Sequence, residues 1–386
     1  MEDTVSEDKD DYKSIEGIVG VDEAIAIQND KLNKLREDVK TLQFKRVDIA
    51  GDYSSITYKA IDGGKMKVYF NPFEINVIDV ADSNGQKKLS FVYPEIDEYD
   101  DNSNSKEATK GLIQKIDSIP LIAKFVTLLK SNSITEISSI FNSSSTLMEI
   151  GELACIFDRI TADSDDPIII MKDGLLRTKA LKSNKNATYI PELLNIIKQK
   201  KKFVKLVGVS KTSAVVSLLS TALFLEKKIP SDAIGYVKIP LALELKAYEW
   251  NGSGKADKSN DEALTYAFGE LYIAKLAVQS NLLVTIEIPK DLKNKTDIYT
   301  EEEIIEIISY LAKDSKHSYP VIGYPQTIMR AHETAVQLGF PISIIREEIK
   351  DKILKRLDPA SREFVRDGWL LTDLVDKGVL GGGKNG

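Results

Sequence analysis

Apolar residues recur at helical spacing or in short uninterrupted runs, and this pattern divides the chain into predicted elements. Residues 21–43 show helical spacing and predict a helix that packs on the body of the protein or on a second copy. Four β-rich runs, near 56–62, 65–71, 74–81 and 87–93, are separated by Asp-Gly-Gly, Asn-Pro and Asn-Gly. Those breaks are turn signals, so the four runs predict an antiparallel meander.

Beyond the meander, helices alternate with apolar strands. An acidic loop is predicted at 95–110, and helices are predicted at 110–130, 145–160, 190–201, 211–228 and 301–313. Apolar strands are predicted at 167–172 and 203–210. Because helices separate these two strands, they should pack in parallel.

Two later spans complete the pattern. Residues 235–290 have a strand-like pattern with a polar loop at 251–261, and 317–340 predict a short strand followed by a helix. A meander followed by helix, strand, helix, strand and helix is the chain order of a ribonuclease-H-like sheet. We therefore predict an α/β fold with a mixed sheet flanked by helices, carrying an N-terminal helix and inserted β-rich and helical segments.

Composition narrows the classes of protein that fit. The chain has 386 residues, 42% hydrophobic and 29% charged, which suits one large domain or two smaller ones. It has no apolar run of about 18 residues and no secretory signal, so no membrane span is expected. A single cysteine, Cys155, allows no internal disulfide and fits a cytoplasmic location. Two histidines and one cysteine argue against a structural zinc site.

The net charge of −7 is concentrated in two acidic runs. Residues 2–11 carry six acids and residues 95–101 carry five. A basic run at 198–205 is interpreted as a solvated helix end. Net charge therefore neither favours nor excludes DNA as a partner.

Several side chains could carry chemistry. Asp62 and Asp173 stand in Asp-Gly pairs at the ends of predicted strands, although Asp-Gly is also common in ordinary turns. Glu152 lies three residues after Glu149 on a mostly apolar helix. The two acids either hold a divalent metal or face water. His332 alone is more typical of a structural residue.

Lys211 follows an apolar strand at a predicted helix start, a position that suits a phosphate. No P-loop motif accompanies it.

Five segments in order resemble the NurA nucleases, over about residues 56–345. They are AIDGG at 60–64, LMEIGELACIFDRI at 147–160, IIIMKDGLLRTKAL at 168–181, GVSKTS at 208–213 and GYPQTIMRAHETA at 323–335. Two positions depart from the family pattern: Gly64 stands where many members have Ser, and Met148 stands near an expected Arg.

The resemblance implies a ribonuclease-H-like nuclease that cleaves DNA with Mn²⁺ or Mg²⁺ at a two-metal site. It implies a 5′-to-3′ exonuclease and single-strand endonuclease that processes DNA ends as a homodimer docked on a hexameric HerA-type ATPase. The implied metal ligands, which also carry catalysis, are Asp62, Glu152, Asp173 and His332. Glu149 stays an alternative to Glu152.

The implied contacts to DNA phosphates come from Lys211, Arg177 and Tyr324, and Tyr324 is alternatively a residue that positions His332. A second hypothesis is an inactive relative that acts as a scaffold for an ATPase ring. A guided nuclease of the Argonaute type is a third, which the short chain disfavours.

The predicted organisation has four parts. Residues 1–20 form an acidic disordered tail and residues 21–50 a helical arm. Residues 51–345 form the nuclease domain. Residues 346–386 form a C-terminal helical segment with a flexible tail.

Overall fold

The computed structural model describes residues 20–49, 56–70, 73–94, 103–138, 143–162, 166–181, 189–250, 266–336 and 339–376. Residues 1–19 of the predicted acidic tail, the predicted loop at 251–261 and the last ten residues lie outside this part of the chain.

Strands supply the central layer of the molecule. They are β1 Phe44–Arg46, β2 Thr57–Phe70, β3 Phe73–Asp82, β4 Lys87–Pro94, β5 Ile168–Asp173, β6 Val204–Ser210, β7 Gly235–Ile239, β8 Gly269–Lys275, β9 Leu283–Asp291 and β10 Thr296–Asp297.

Helices flank that layer. They are α1 Val21–Val39, α2 Ser103–Asp117, α3 Pro120–Leu128, α4 Ile134–Ile137, α5 Ser144–Ile160, α6 Ile190–Lys200, α7 Ala214–Leu225, α8 Leu241–Trp250, α9 Glu301–Ser315, α10 Gln326–Val336, α11 Gly339–Leu354 and α12 Pro359–Asp376. None of these described helices combines the length and apolarity needed to cross a membrane.

Within the described residues the strands form one mixed sheet in the order β1-β7-β8-β9-β6-β5-β2-β3-β4, with β10 on β9. Strands β2, β3 and β4 form an antiparallel meander, and β5 and β6 add in parallel on the other side of β2. This is the strand arrangement of a ribonuclease-H-like sheet, so the predicted fold class is confirmed. Strands β7, β8 and β9 extend it antiparallel to one another.

Two large apolar cores cover the sheet, and a small third cluster around Val68 and Val77 packs against α11 and α12. The larger gathers residues of α2 to α6, α9 and α10 against the central strands. The smaller packs α1, α7 and α8 on β7, β8 and β9. All residues of β6 are buried, which explains its continuous apolar run.

Several predicted elements differ from the structure. The runs 56–62 and 65–71 are one continuous strand, β2. The predicted acidic loop becomes helical at Ser103, and the predicted helix 110–130 is two helices, the second with Pro120 in its first turn. The strand-like span 235–290 contains the helix α8.

The short strand predicted before α10 is a series of turns at Ser318–Tyr324. The segment contains Pro320, and a proline cannot donate a main-chain hydrogen bond to a strand partner.

Candidate metal centre

Asp62 and Asp173 are neighbours because β2 and β5 run in parallel. Ile61 pairs with Lys172 in the register, so the next residue of each strand is an aspartate on the same face of the sheet. Asp173 ends β5, whereas Asp62 lies within β2. The Asp62 side chain is only 8% exposed.

His332 completes a cluster with the two aspartates. It lies on α10, which packs on the face of β2 that Asp62 occupies. Its Nδ1 atom is 2.8 Å from Asp62 Oδ2 and 3.6 Å from Asp173 Oδ2. One ligand atom from each of the three residues lies within 4.8 Å of the others. The imidazole is 46% exposed, so this face of the cluster is open to solvent.

The two glycines after Asp62 are required by close packing on both faces of β2. A Cβ atom on Gly63 would lie 2.6 Å from Glu152 Oε1 and from Met148 Cγ, on the α5 side. A Cβ atom on Gly64 would lie 2.3 Å from the carbonyl oxygen of Ala335, on the α10 side. The Asp-Gly-Gly sequence is therefore a strand segment between two helices and not a turn.

Glu152 approaches the cluster from the opposite face of the sheet. Its Oε1 atom accepts a hydrogen bond from Gly63 N at 2.9 Å, and Asp62 Oδ1 accepts from the same nitrogen at 2.9 Å. Its Oε2 atom is 2.7 Å from Lys172 Nζ. Both side chains of this ion pair are less than a tenth exposed. The structure thus holds Glu152 beside Asp62 but pairs its carboxylate with an ammonium group.

Tyr324 and Lys211 border the cluster. The Tyr324 hydroxyl is buried and donates to Asp173 Oδ1 at 2.5 Å, with Val209 O at 3.1 Å. Burial and the nearby Asp173 carboxylate raise the pKa of this phenol well above its usual range. Lys211 is exposed, and its Nζ lies 5.3 Å from the centre of the Tyr324 ring.

Burial raises the pKa of Asp62 to about 6, and the carboxylates of Asp173 and Glu152 contribute to the rise, while His332 opposes the shift. A carboxylate with a raised pKa among other acids is stabilised in its charged form by a cation. Two carboxylates and an imidazole within 4.8 Å are also donors that Mn²⁺ accepts. The residues present therefore fit a divalent ion.

Comparisons with known proteins identify the family of the chain. The NurA domain model matches residues 57–337, most of the chain. The chain belongs to the NurA family. That match begins with β2 and ends just after α10, so it contains every residue of the cluster.

The chain is also similar to solved NurA structures. A NurA nuclease from Sulfolobus solfataricus is 15% identical, with a TM-score of 0.48, over 88% of this chain and 97% of that one. A NurA structure with manganese is 9% identical, with a TM-score of 0.39, over 88% and 98%. One bound to dAMP and manganese is 9% identical, with a TM-score of 0.35, over 81% and 92%. No curated protein shows significant sequence similarity to this chain.

Arg177, predicted from the NurA resemblance to contact phosphate, has a different environment. Its guanidinium is buried, forms ion pairs with Glu244 and Glu287, and donates to Tyr248 Oη at 2.9 Å. Its backbone N also donates to Glu287 Oε2 at 2.8 Å. Arg177 therefore anchors the segment that follows Asp173. Its position argues against the predicted phosphate contact.

Glu149, the predicted alternative to Glu152, lies one helical turn earlier and is hydrogen-bonded to Thr178. Burial raises its pKa. Of the two acids, Glu152 is the one hydrogen-bonded to β2 beside Asp62.

Sequence reasoning on the NurA motifs missed Lys172. The signal was a lysine at the end of the apolar run IIIMK, where a buried charge needs an acidic partner.

Proposed function

We propose that this chain is a divalent-metal-dependent deoxyribonuclease that hydrolyses phosphodiester bonds. The observation that carries the proposal is the cluster of Asp62, Asp173 and His332, with ligand atoms within 4.8 Å of one another. Membership of the NurA family supports the same activity. Asp62, Asp173 and His332 would hold Mn²⁺ or Mg²⁺. When bound, the metal supplies an activated water and stabilises charge on the leaving oxygen.

The protein groups have separate tasks in this proposal. Tyr324 fixes the Asp173 carboxylate through its 2.5 Å hydrogen bond. The exposed imidazole of His332 can meet the substrate and exchange a proton at Nε2, while Nδ1 faces the aspartates. Lys211 is exposed, and its Nζ lies 5.3 Å from the centre of the Tyr324 ring, so its charge can hold a backbone phosphate beside the cluster.

The test is cleavage of end-labelled single-stranded DNA by the full chain with Mn²⁺, with and without EDTA. We expect metal-dependent products that disappear in Asp173→Asn. Glu270→Gln is the matched control. Glu270 lies on β8 and is a half-buried acid that forms ion pairs with Lys238 and Lys290. If Asp173→Asn cleaves as well as the unchanged protein, the proposed site is wrong.

The direction of cleavage can be measured with DNA substrates that are blocked at one end. We propose 5′-to-3′ exonuclease and single-strand endonuclease activity. Products from circular single strands would support the endonuclease part, whereas resistance of a 5′-blocked linear duplex would support the exonuclease direction.

An inactive scaffold is a second candidate, and the ion pair between Glu152 and Lys172 favours it. A carboxylate neutralised at 2.7 Å by an ammonium is less available to a metal. A folded protein that binds an ATPase ring but cleaves no DNA with any divalent ion would establish this alternative.

The proposed partners are a second copy of the chain and a hexameric HerA-type ATPase, and family membership supports both. Light scattering of the purified chain, alone and mixed with such an ATPase, tests them. A monomer that elutes separately from the ring would contradict both.

A further inference from the structure

A buried lysine lies against the candidate metal centre. Lys172 is the penultimate residue of β5, directly before Asp173. Its side chain is 8% exposed, and its Nζ is 2.7 Å from Glu152 Oε2 and 3.2 Å from the backbone oxygen of Asp173. Among the predicted ligands, only Glu152 stands outside the cluster of ligand atoms within 4.8 Å in the described chain.

The ammonium group lies on the side of the sheet from which Glu152 reaches the site. Lys172 pairs with Ile61 in the register and so shares a face with Gly63, whereas Asp62 and Asp173 point to the other face. Glu152 Oε1 and Asp62 Oδ1 accept from the same Gly63 N. Two carboxylates that share one donor repel each other unless a cation lies nearby. Lys172 is that cation for Glu152.

Charge balance leads to the same point. The Lys172 ammonium interacts with the carboxylates of both Glu152 and Glu149, so part of the negative charge on this side of the site is already offset. A second divalent ion beside Glu152 would place another positive charge next to the buried ammonium, which is unfavourable.

We infer that Lys172 takes the place of a second metal, so that the site binds one divalent ion through Asp62, Asp173 and His332 and leaves Glu152 paired with the ammonium. This inference rests on the proposed metal-dependent function and replaces the two-metal site predicted from the sequence. Lys172 is a positioning residue. It fixes Glu152 beneath Gly63 and supplies positive charge to that face of the site.

The test is a count of bound Mn²⁺ on the metal-stripped full chain, by titration calorimetry and by the electron paramagnetic resonance signal of free Mn²⁺. We expect one ion per chain for the unchanged protein. Lys172→Met frees Glu152 and should raise the count to two, and Lys172→Met with Glu152→Gln should return it to one.

The matched control is Lys205→Met. Lys205 is also a lysine of low exposure paired with a glutamate, Glu303, but it lies near the start of β6, away from the strand ends that carry the aspartates. The Lys205→Met protein should still bind one Mn²⁺ ion per chain. Lys172→Gln, which keeps a hydrogen-bond donor for Glu152, replaces Lys172→Met if circular dichroism shows that the methionine variant is unfolded.

The outcomes separate this inference from the proposed function. Two ions bound to the unchanged protein would overturn the role of Lys172 and leave the metal-dependent function intact. A count of one in a folded Lys172 variant would also overturn it. No Mn²⁺ bound to the unchanged protein at millimolar concentration would overturn the proposed function and this inference together.

Discussion

Replacing Asp62 with asparagine should stabilise the metal-free protein at neutral pH. The pKa of Asp62 is raised from 3.8 to about 6, chiefly by burial and then by the neighbouring carboxylates. A shift of about two units corresponds to roughly 3 kcal/mol of unfavourable free energy for the ionised side chain in the fold. The substitution removes that charge. The new amide oxygen can still accept from Gly63 N, and the new amide nitrogen can donate to His332 Nδ1.

The pH dependence gives the sign of the effect. Between about pH 4 and 6 the folded protein binds a proton at Asp62 that the unfolded chain has released, so stability falls as pH rises through this window. The gain from Asp62→Asn should therefore be roughly 3 kcal/mol at pH 7.5, about half that at pH 5.0, and small near pH 4.

The assay is urea unfolding in EDTA at these three pH values, compared with Asp82→Asn. Asp82 is a buried acid on β3 that accepts from Asn84 N and Gln86 N and pairs with Lys88. Its replacement should lower stability by about 1 kcal/mol, the opposite sign. Added Mn²⁺ at about 100 times its dissociation constant should stabilise the unchanged protein by roughly 2.7 kcal/mol but not Asp62→Asn. A destabilised Asp62→Asn protein at pH 7.5 in EDTA would refute the electrostatic argument.

Three other substitutions test single contacts of the site. Tyr324→Phe removes the 2.5 Å hydrogen bond to Asp173 and should weaken Mn²⁺ affinity about tenfold in calorimetry, with unfolding changed by at most about 1.5 kcal/mol; unaltered affinity would contradict a positioning role. Gly64→Ala places Cβ 2.3 Å from a main-chain oxygen of α10 and should lower the free energy of unfolding, measured in urea, by about 1–3 kcal/mol. The control is Gly111→Ala, whose Cβ meets nothing within 4 Å and should not lower that free energy. Equal losses in the two variants would contradict the close approach of α10 to β2. Arg177→Met leaves two buried glutamates unpaired and should lower stability by about 3–5 kcal/mol; weaker DNA binding at unchanged stability would instead restore the predicted phosphate contact.

The sequence pattern predicted the central strands and marked Asp62 and Asp173 as candidate residues at strand ends. The parallel pairing of β2 with β5, which places the two aspartates side by side, was not predicted from that pattern. His332 was reached only through the family resemblance, because nothing local to α10 shows which face of the helix carries chemistry. The NurA domain match confirms that resemblance.

Side-chain partners could not be predicted in the same way. The phosphate contact predicted for Arg177 came from the NurA resemblance. The actual partners of Arg177, Glu244 and Glu287, lie 67 and 110 residues away in the chain. Long-range pairing of this kind has no local signal, because it depends on which helix covers which strand.

The Asp-Gly-Gly segment shows why a turn signal can be mistaken. Glycine is frequent in turns because it adopts positive φ, but it also lacks a side chain. Gly63 and Gly64 do not have positive φ, so their value lies in the space they leave. Glu152 fills that space on one face, and the backbone of α10 fills it on the other.

This close packing also brings several acidic side chains together in one site. A strand without side chains at two successive positions lets a helix on each face approach its backbone, so Glu152 and His332 reach Asp62 from opposite sides. The gathered negative charge is unfavourable in a buried place, as the raised pKa of Asp62 indicates. Lys172 offsets part of that charge permanently, and a bound cation would offset the rest. The same geometry that disfavours ionised Asp62 in the metal-free protein would therefore supply affinity for the proposed metal.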